Sequence, residues 1–167
     1  MRLDVQNWAE KIFAEARHQA AVSMAAEQAR QAKAGALGSS RSAFPMTDIY
    51  LEKSADALDQ TLAGTSNQLR TRRGDWKQAF AEVDEVLKHQ LHQGPEIITR
   101  HLSSEGSSRA IAEKHLRERW AALQFRLHAF RDGWTAPRSE RWIERHPVWW
   151  GLITAAVGAA LSEVVQF

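Results

Sequence analysis

A heptad spacing of apolar residues is the feature that most restricts how this chain can fold. Between positions 51 and 86, seam positions recur at alternating intervals of four and three, and Arg72 occupies one of them. Apolar or small residues occupy the others: Leu51, Ala55, Leu58, Leu62, Thr65, Leu69, Trp76, Ala79, Val83 and Val86. This spacing returns a side chain to the same helix face and is typical of helices that pack together. No segment alternates polar and apolar residues with a period of two. The sequence therefore predicts an all-α fold, either an antiparallel helical bundle or a long helical hairpin.

Two further segments show an apolar face with helical spacing. The first comprises Val5, Trp8, Ile12, Phe13, Ala16 and Ala20, and the second comprises Leu116, Trp120, Leu123, Leu127 and Phe130. Each face is too narrow to stabilise a helix alone, because most helix stability in proteins comes from tertiary packing. We therefore expect the three segments to pack on one another or on a second copy.

Glycine, proline and capping residues predict where these helices begin and end. Gly35 and Gly38 are expected to end the first helix and to open a loop over residues 35–47. Thr47 or Asp48 then provides an N-cap for the second helix. Over 51–86 the heptad face fits either a long bent helix or two helices that meet near Gly74–Asp75, and a single interrupted element is favoured.

The second half of the chain contains one more predicted break. Gly94–Pro95 is expected to stop the helix and to start a break over 94–107, with a short helix at 96–102. Ser107 or Ser108 would cap the last long helix, which Gly133 would end. The predicted organisation is a helical domain over 1–134, an amphipathic connector over 135–147 and a terminal helix over 148–167.

Residues 148–167 form the densest apolar run and contain no Lys or Arg. Twenty helical residues extend about 30 Å, the thickness of one hydrocarbon core. Three basic residues precede the run, and two tryptophans stand where an aromatic belt would lie, as expected for an anchor with a cytoplasmic N-terminus. The flanking basic residues are Arg138, Arg141 and Arg145, and the predicted anchor residues are Trp149, Trp150, Leu152, Ile153, Val157 and Leu161.

Alternatives to a membrane span remain for this run. Its uninterrupted apolar part covers only 148–161, a length that also suits an interfacial segment or a helix buried in a soluble bundle. The first residues, MRLDVQNWAEKIF, contain no apolar core of a signal peptide. The Arg145-His146-Pro147 approach to a glycine-rich helix resembles the anchors of bacterial membrane-tethered proteins, which implies a single-pass protein of the inner membrane.

The terminal run also carries a face of small residues, at Gly151, Ala155, Gly158 and Ser162. In lipid, such faces let helix backbones approach closely and associate. Glu163 follows Ser162, and its charge would be less costly in a shared interior than against lipid. We therefore expect homo-oligomers in which these helices meet, although a composition rich in Gly and Ala also produces such a stripe by chance.

Signals for catalysis are weak. The chain has no cysteine, and no phosphate-binding glycine loop, nucleophile elbow or zincin motif. Glu82, Glu85, His89 and His92 fall near one helix face and are weak candidates for metal ligands, but Glu85 and His89 are four apart, whereas a di-metal helix motif spaces them by three. A solvated helix face is the simpler interpretation. We expect no enzyme activity, no metal and no cofactor.

The basic residues do not require a nucleic acid partner. The formal net charge is only +2. The arginines and lysines between 109 and 131 are better interpreted as the solvent face of an amphipathic helix with internal ion pairs. Nucleic acid is therefore not the expected partner.

Three functional classes are compatible with these features. The chain is predicted to be a non-catalytic scaffold or adaptor, tethered to the bilayer by 148–167 and binding a protein partner through its helical domain. The alternative is a membrane-perturbing effector, of toxin or host-defence type, whose terminal helices assemble in the bilayer. The third class is a soluble helical bundle that buries the terminal helix.

Overall fold

Four long helices make up the part of the chain that the structure describes. The computed structural model describes residues 4–35, 43–71, 75–102 and 107–134. Helix α1 spans Val5–Lys33, α2 spans Ala43–Thr71, α3 spans Trp76–Thr99 and α4 spans Ser107–Trp134. No strand occurs in these residues. The all-α prediction is confirmed, and the helices form a bundle.

Helix α1 ends as its sequence predicts. The backbone N–H of Ala34 donates to the carbonyl of Arg30, and Gly35 follows with φ at +68°. That left-handed conformation suits glycine, which has no Cβ to clash. Of the predicted apolar face, Val5, Phe13, Ala16 and Ala20 are buried, whereas Trp8 and Ile12 are half-buried.

Helix α2 begins earlier than predicted. The expected loop is wrong over 43–47, and so is the expected cap at Thr47 or Asp48, because the helix already starts at Ala43. The rest of that loop, 36–42, lies outside the described residues. Thr47 lies inside the helix, where its hydroxyl donates to the Ala43 carbonyl at 2.8 Å and needs no other partner. This local bond explains how a typical capping residue is accommodated within a buried turn.

The heptad face over 51–86 belongs to two helices, so the favoured single element is wrong and the alternative of two helices is confirmed. Helix α2 ends at Thr71 and α3 begins at Trp76. Asp75 is the N-cap of α3: its carboxylate accepts hydrogen bonds from the backbone N–H groups of Lys77 (2.9 Å) and Gln78 (3.4 Å). An aspartate cap satisfies two of the N–H groups that a helix start leaves unpaired.

Helix α3 continues through Gly94–Pro95 to Thr99, so the predicted stop and the separate short helix at 96–102 are wrong. Proline removes one intrahelical hydrogen bond. Nearby side chains add others, since the Tyr50 hydroxyl donates to the Gln90 carbonyl (2.6 Å) and the Thr99 hydroxyl to the Pro95 carbonyl (2.6 Å). Helix α4 ends at Trp134, one residue beyond Gly133.

Neighbouring helices in the chain run antiparallel. Trp8 near the start of α1 packs on Gly64 near the end of α2, and Gly94 near the end of α3 lies beside Leu116 near the start of α4. Helices α1, α2 and α3 contact one another extensively. Helix α4 packs against α2 and α3 and runs parallel to α2, because Asp48 pairs with Arg119 and Asp59 with Arg126.

Helix α2 is the centre of the bundle. Its buried positions cover a broad face that includes Tyr50, Leu58 and Leu62. Gly64, which faces α1, and Asp48, which faces α4, are separated by about 160° around the helix. Hydroxyl side chains also line this face, and the hydroxyls of Thr61 and Thr65 have no hydrogen-bond partner among the described residues. Small side chains let α1 and α3 approach α2 closely.

By contacts the chain divides into two compact units, Met1–Phe130 and Arg131–Phe167. The first contains the bundle core. Of the second, the structure describes residues 131–134, the last turn of α4, where Arg131 pairs with Asp132 at 3.0 Å.

Candidate functional site

A surface groove of about 430 Å³ lies between the parallel helices α2 and α4. Its lining residues are Asp48, Leu51, Glu52 and Ala55 from α2 and Arg119, Ala122 and Leu123 from α4. The two leucines are buried and form an apolar floor. The charged side chains stand along the walls, so the groove can hold an apolar group beside a charged one.

Asp48 is the electrostatic centre of one wall. Its Oδ1 accepts from Arg119 Nη1 at 2.5 Å and lies 3.1 Å from His115 Nε2. The His115 ring also meets the Phe44 ring edge-on, with centroids 4.9 Å apart. His115 and Arg119 are four residues apart on α4, which places both on the flank that faces α2. Because the carboxylate is already engaged by a guanidinium, this cluster fits recognition better than proton transfer.

Glu52 adds an exposed negative charge to the groove. Its side chain is 67% exposed, and its ion pair is with the adjacent residue on its own helix, Lys53, at 3.0 Å. With Asp48 and Arg119 pairing each other, the remaining formal charge of the lining is one carboxylate. A cationic group attached to an apolar stem would match both this charge and the apolar floor.

A second polar cluster lies inside the bundle around Gln90, which is 1% exposed. The Gln90 amide oxygen accepts from Arg17 Nη1 of α1 (2.8 Å), and the amide nitrogen donates to the Ser54 hydroxyl of α2 (3.2 Å). Gln90 thus joins three helices through hydrogen bonds. Burial raises the pKa of the neighbouring Tyr50 phenol well above its usual value, an effect that the positive charge of Arg17 opposes. This cluster fixes helix register.

The four weak metal candidates do not form a site. Glu82 accepts from Gln78 (2.9 Å), Glu85 binds Lys88 (2.9 Å) and His89 contacts Gln93 (2.8 Å). His92 is exposed. In the described segments no group of three or more metal-ligating side chains comes together. Each candidate carboxylate is used by a neighbour one turn away along the helix.

The basic residues of α4 are engaged in ion pairs. Within the helix, Glu113 pairs with Arg109 (3.0 Å) and Arg117 (3.6 Å), and Glu118 pairs with Lys114 (3.8 Å). Two pairs reach α2, Arg119–Asp48 and Arg126–Asp59. This arrangement agrees with the interpretation of a solvated face with internal ion pairs, and it extends that face to a neighbouring helix.

The predicted anchor, oligomerisation and flanking residues all lie outside the described residues. They are Arg138, Arg141, Arg145, Trp149, Trp150, Gly151, Leu152, Ile153, Ala155, Val157, Gly158, Leu161, Ser162 and Glu163. Among the helices that are described, none is both long enough and apolar enough to cross a membrane.

Sequence reasoning missed the residues that form the groove wall. In the sequence Asp48 is a candidate helix cap, and His115 belongs to no motif. The spacing of His115 and Arg119 was a usable signal, but their partner stands 71 positions before Arg119 along the chain. Contacts at that separation follow from helix packing and leave no local pattern.

Comparisons with protein-family models, with curated proteins and with solved structures find no match to this chain.

Proposed function

We propose that this protein is a non-catalytic, membrane-tethered helical scaffold or adaptor. The bundle binds a protein partner, and residues 148–167 hold the bundle at the bilayer. The observation that supports this best is the groove between α2 and α4, which offers an apolar floor, the Asp48–Arg119 ion pair and the exposed Glu52 carboxylate. Such a lining recognises side chains and does not activate a reacting group.

The chemistry of the groove defines the partner that it fits. An apolar side chain can contact Leu51 and Leu123, while a neighbouring Lys or Arg meets the exposed carboxylate of Glu52. A partner helix with an apolar stripe bordered by basic residues has this pattern. We infer that such a helix lies along α2 and α4.

Support for the tether comes from the sequence. The apolar run is as long as one bilayer core, basic residues precede it and none follows within it. The position of the basic residues orients the anchor, with the bundle on the cytoplasmic side.

Fractionation tests the tether. The full chain should stay with membranes after a carbonate wash, and a matched chain that ends at Pro147 should be released. Release of the full chain by carbonate would contradict the tether and favour a soluble bundle.

Site-specific photocrosslinking tests the groove. A photoreactive residue in place of Ala122 should give a discrete adduct with another protein in cells. The same substitution at Val22, which is 59% exposed on α1, is the matched control and should not give that adduct. Equal adducts from both positions, or none from Ala122, would contradict partner binding in the groove.

A second function is favoured by one sequence observation. The small face at Gly151, Ala155, Gly158 and Ser162, followed by Glu163, suits helices that assemble in a bilayer and perturb it. In this alternative the protein is a membrane-perturbing effector.

A further inference from the structure

The outer face of α4 carries a protruding aromatic residue in a setting of small side chains. Phe125 is 75% exposed, more than the other large apolar side chains exposed in the described residues, Val22, Phe44 and Phe130. One helical turn to either side stand Ala121 and Ala129, both exposed. A large ring between two alanines creates a ridge next to two hollows on one surface.

We propose that this face binds a second copy of the chain, with the two α4 helices antiparallel. The two-fold axis passes between the helices at the level of Leu123, whose own side chain stays in the bundle. Residues equally far on either side of Leu123 then face each other. Phe125 of one copy lies over Ala121 of the other, and the contact occurs twice because the axis repeats it. The ridge of each helix fills the hollow of the other, as knobs fill holes in coiled coils.

The spacing of the outer face fits this geometry. Glu118, Ala121, Phe125 and His128 follow one another at intervals of three, four and three residues. That is the spacing of a helix–helix seam, and it lies on the side of α4 away from the buried seam of Leu116, Trp120, Leu123 and Leu127. The helix therefore has one seam for the bundle and a second that the bundle does not cover.

Hydrogen-bonding complementarity favours a second copy in the antiparallel direction, because the Glu118 carboxylate can accept from a ring N–H of His128. In the antiparallel alignment Glu118, whose side chain is 59% exposed, faces the exposed His128 of the other copy. At the flank away from the groove Arg117 faces Ala129, so no like charges meet there. A parallel alignment would set Glu118 against Glu118 and Phe125 against Phe125, which places like charges and two large rings at the same level.

This surface is separate from the groove. The groove is lined by Arg119, Ala122 and Leu123, on the flank of α4 that faces α2. The dimer contact uses the outward face, so both surfaces can be occupied together. The inference goes beyond the proposed scaffold function and does not depend on residues 148–167.

Sedimentation of the purified full chain in mild detergent, over a concentration series, tests the dimer. The wild type should show a reversible monomer–dimer equilibrium, since a single helix pair is a small interface that gives weak association. Phe125→Glu should weaken the dimer at least tenfold, because it places a carboxylate in the apolar contact. Val22→Glu, an equally charged change at an exposed position on α1, is the control and should leave the dimer unchanged.

A charge exchange tests the polar pair. His128→Glu places two carboxylates opposite each other at two symmetric positions and should weaken the dimer. Adding Glu118→Lys to the same chain should restore it. Circular dichroism of every variant should match the wild type, since each changed side chain is exposed and none contributes to the core.

Disulfide trapping tests the direction, and the chain has no cysteine of its own. Mixing Glu118→Cys with His128→Cys should give a crosslinked heterodimer on oxidation. Either variant alone should not crosslink, because the offset of ten positions separates the two thiols by about 15 Å in the antiparallel pair.

Three results would overturn the proposal. One is a wild type that remains monomeric across the concentration series. Another is a dimer that Phe125→Glu leaves intact but Gly158→Leu abolishes, which would assign association to residues 148–167. The third is crosslinking of Glu118→Cys with itself, which would show parallel helices.

Discussion

Gly64 shows how one residue positions α1 on α2. The Trp8 indole of α1 lies directly on the backbone at Gly64, so that a Cβ at this position would overlap the ring. Glycine within a helix costs about 1 kcal/mol relative to alanine. Close seating of the indole explains why that cost is tolerated here.

A double-mutant cycle tests this contact. Gly64→Ala should destabilise the protein by about 1–3 kcal/mol, because the added methyl group displaces the Trp8 ring. In a Trp8→Ala background the same change should be neutral or stabilise by up to about 1 kcal/mol, since the obstruction is gone and alanine favours the helix. Chemical denaturation of the four proteins gives the coupling. Equal effects of Gly64→Ala in both backgrounds would show that Trp8 does not constrain Gly64.

The raised pKa of Tyr50 determines how the stability of the fold changes at alkaline pH. Burial raises its phenol pKa in the folded protein, whereas the unfolded chain keeps a value of about 10. The folded state therefore holds the proton more tightly. Its stabilising contribution is complete below pH 10, and as the pH rises above 10 it is lost by about 1.4 kcal/mol per pH unit.

Two measurements check this prediction. Tyr50 is the single tyrosine in the chain, so tyrosinate absorbance near 295 nm reports it alone. Ionisation should be delayed until the protein unfolds. Tyr50→Phe should lose about 1 kcal/mol at neutral pH, from the hydrogen bond to the Gln90 carbonyl, and should show a shallower loss of stability above pH 10. Ionisation at pH 10 in the folded protein would contradict the raised pKa.

At the scale of the helices, packing decides what Gly94 and Pro95 do. A Cβ on Gly94 would lie 2.7 Å from Leu116 Cδ2 and 2.9 Å from Tyr50 Cε1, so the glycine lets α2 and α4 approach α3. Glycine and proline usually end helices, so the Gly-Pro pair predicts a stop. The sequence alone does not reveal that Gly94 serves a contact between helices. The burial of Ile98, one turn beyond, shows that the apolar face continues past the proline.

Helix α4 provides a comparison between apolar packing and ion pairs. Its buried seam includes Leu116 and Trp120, while the Arg126–Asp59 pair with α2 is about half exposed at both ends. Leu116→Ala should cost about 2–5 kcal/mol. Asp59→Asn should cost at most about 1 kcal/mol, because solvent screens an exposed pair. Denaturant titration of both variants compares their losses in the free energy of unfolding. A larger loss from Asp59→Asn would show that ion pairs hold α4 in the bundle.

At the scale of the molecule, the sequence was sufficient for the fold class and for most of the apolar faces. Val83, Val86 and Leu123 were predicted on packing faces, and all three are buried. The groove could not be predicted, because it forms between α2 and α4. These helices lie side by side and parallel, but α3 separates them along the chain. The Gln90 cluster was also hidden, since a glutamine among apolar positions gives no periodic signal. Phe125 gives a weak signal in the sequence, because its position does not fit the spacing of the buried residues of α4.

Residues 148–167 distinguish a scaffold from an effector. If their small faces meet in the bilayer, Gly158→Leu blocks the approach of the backbones and also makes the helix more apolar, so anchoring survives while assembly fails. Glu163→Leu removes a charge that an assembled interior would shelter from lipid, and it too preserves the anchor. These variants therefore separate assembly from tethering.

For the scaffold we expect both variants to remain in the membrane fraction after a carbonate wash and to leave growth on overexpression unchanged. The wild type should likewise cause no leakage of a membrane-impermeant dye into cells, because a single passive anchor leaves the bilayer sealed. The opposite result would consist of growth inhibition and dye entry with the wild type, both abolished by Gly158→Leu or Glu163→Leu without loss of anchoring. That outcome would replace the scaffold with the membrane-perturbing effector, since only an assembly of helices would depend on the small face and the buried charge together.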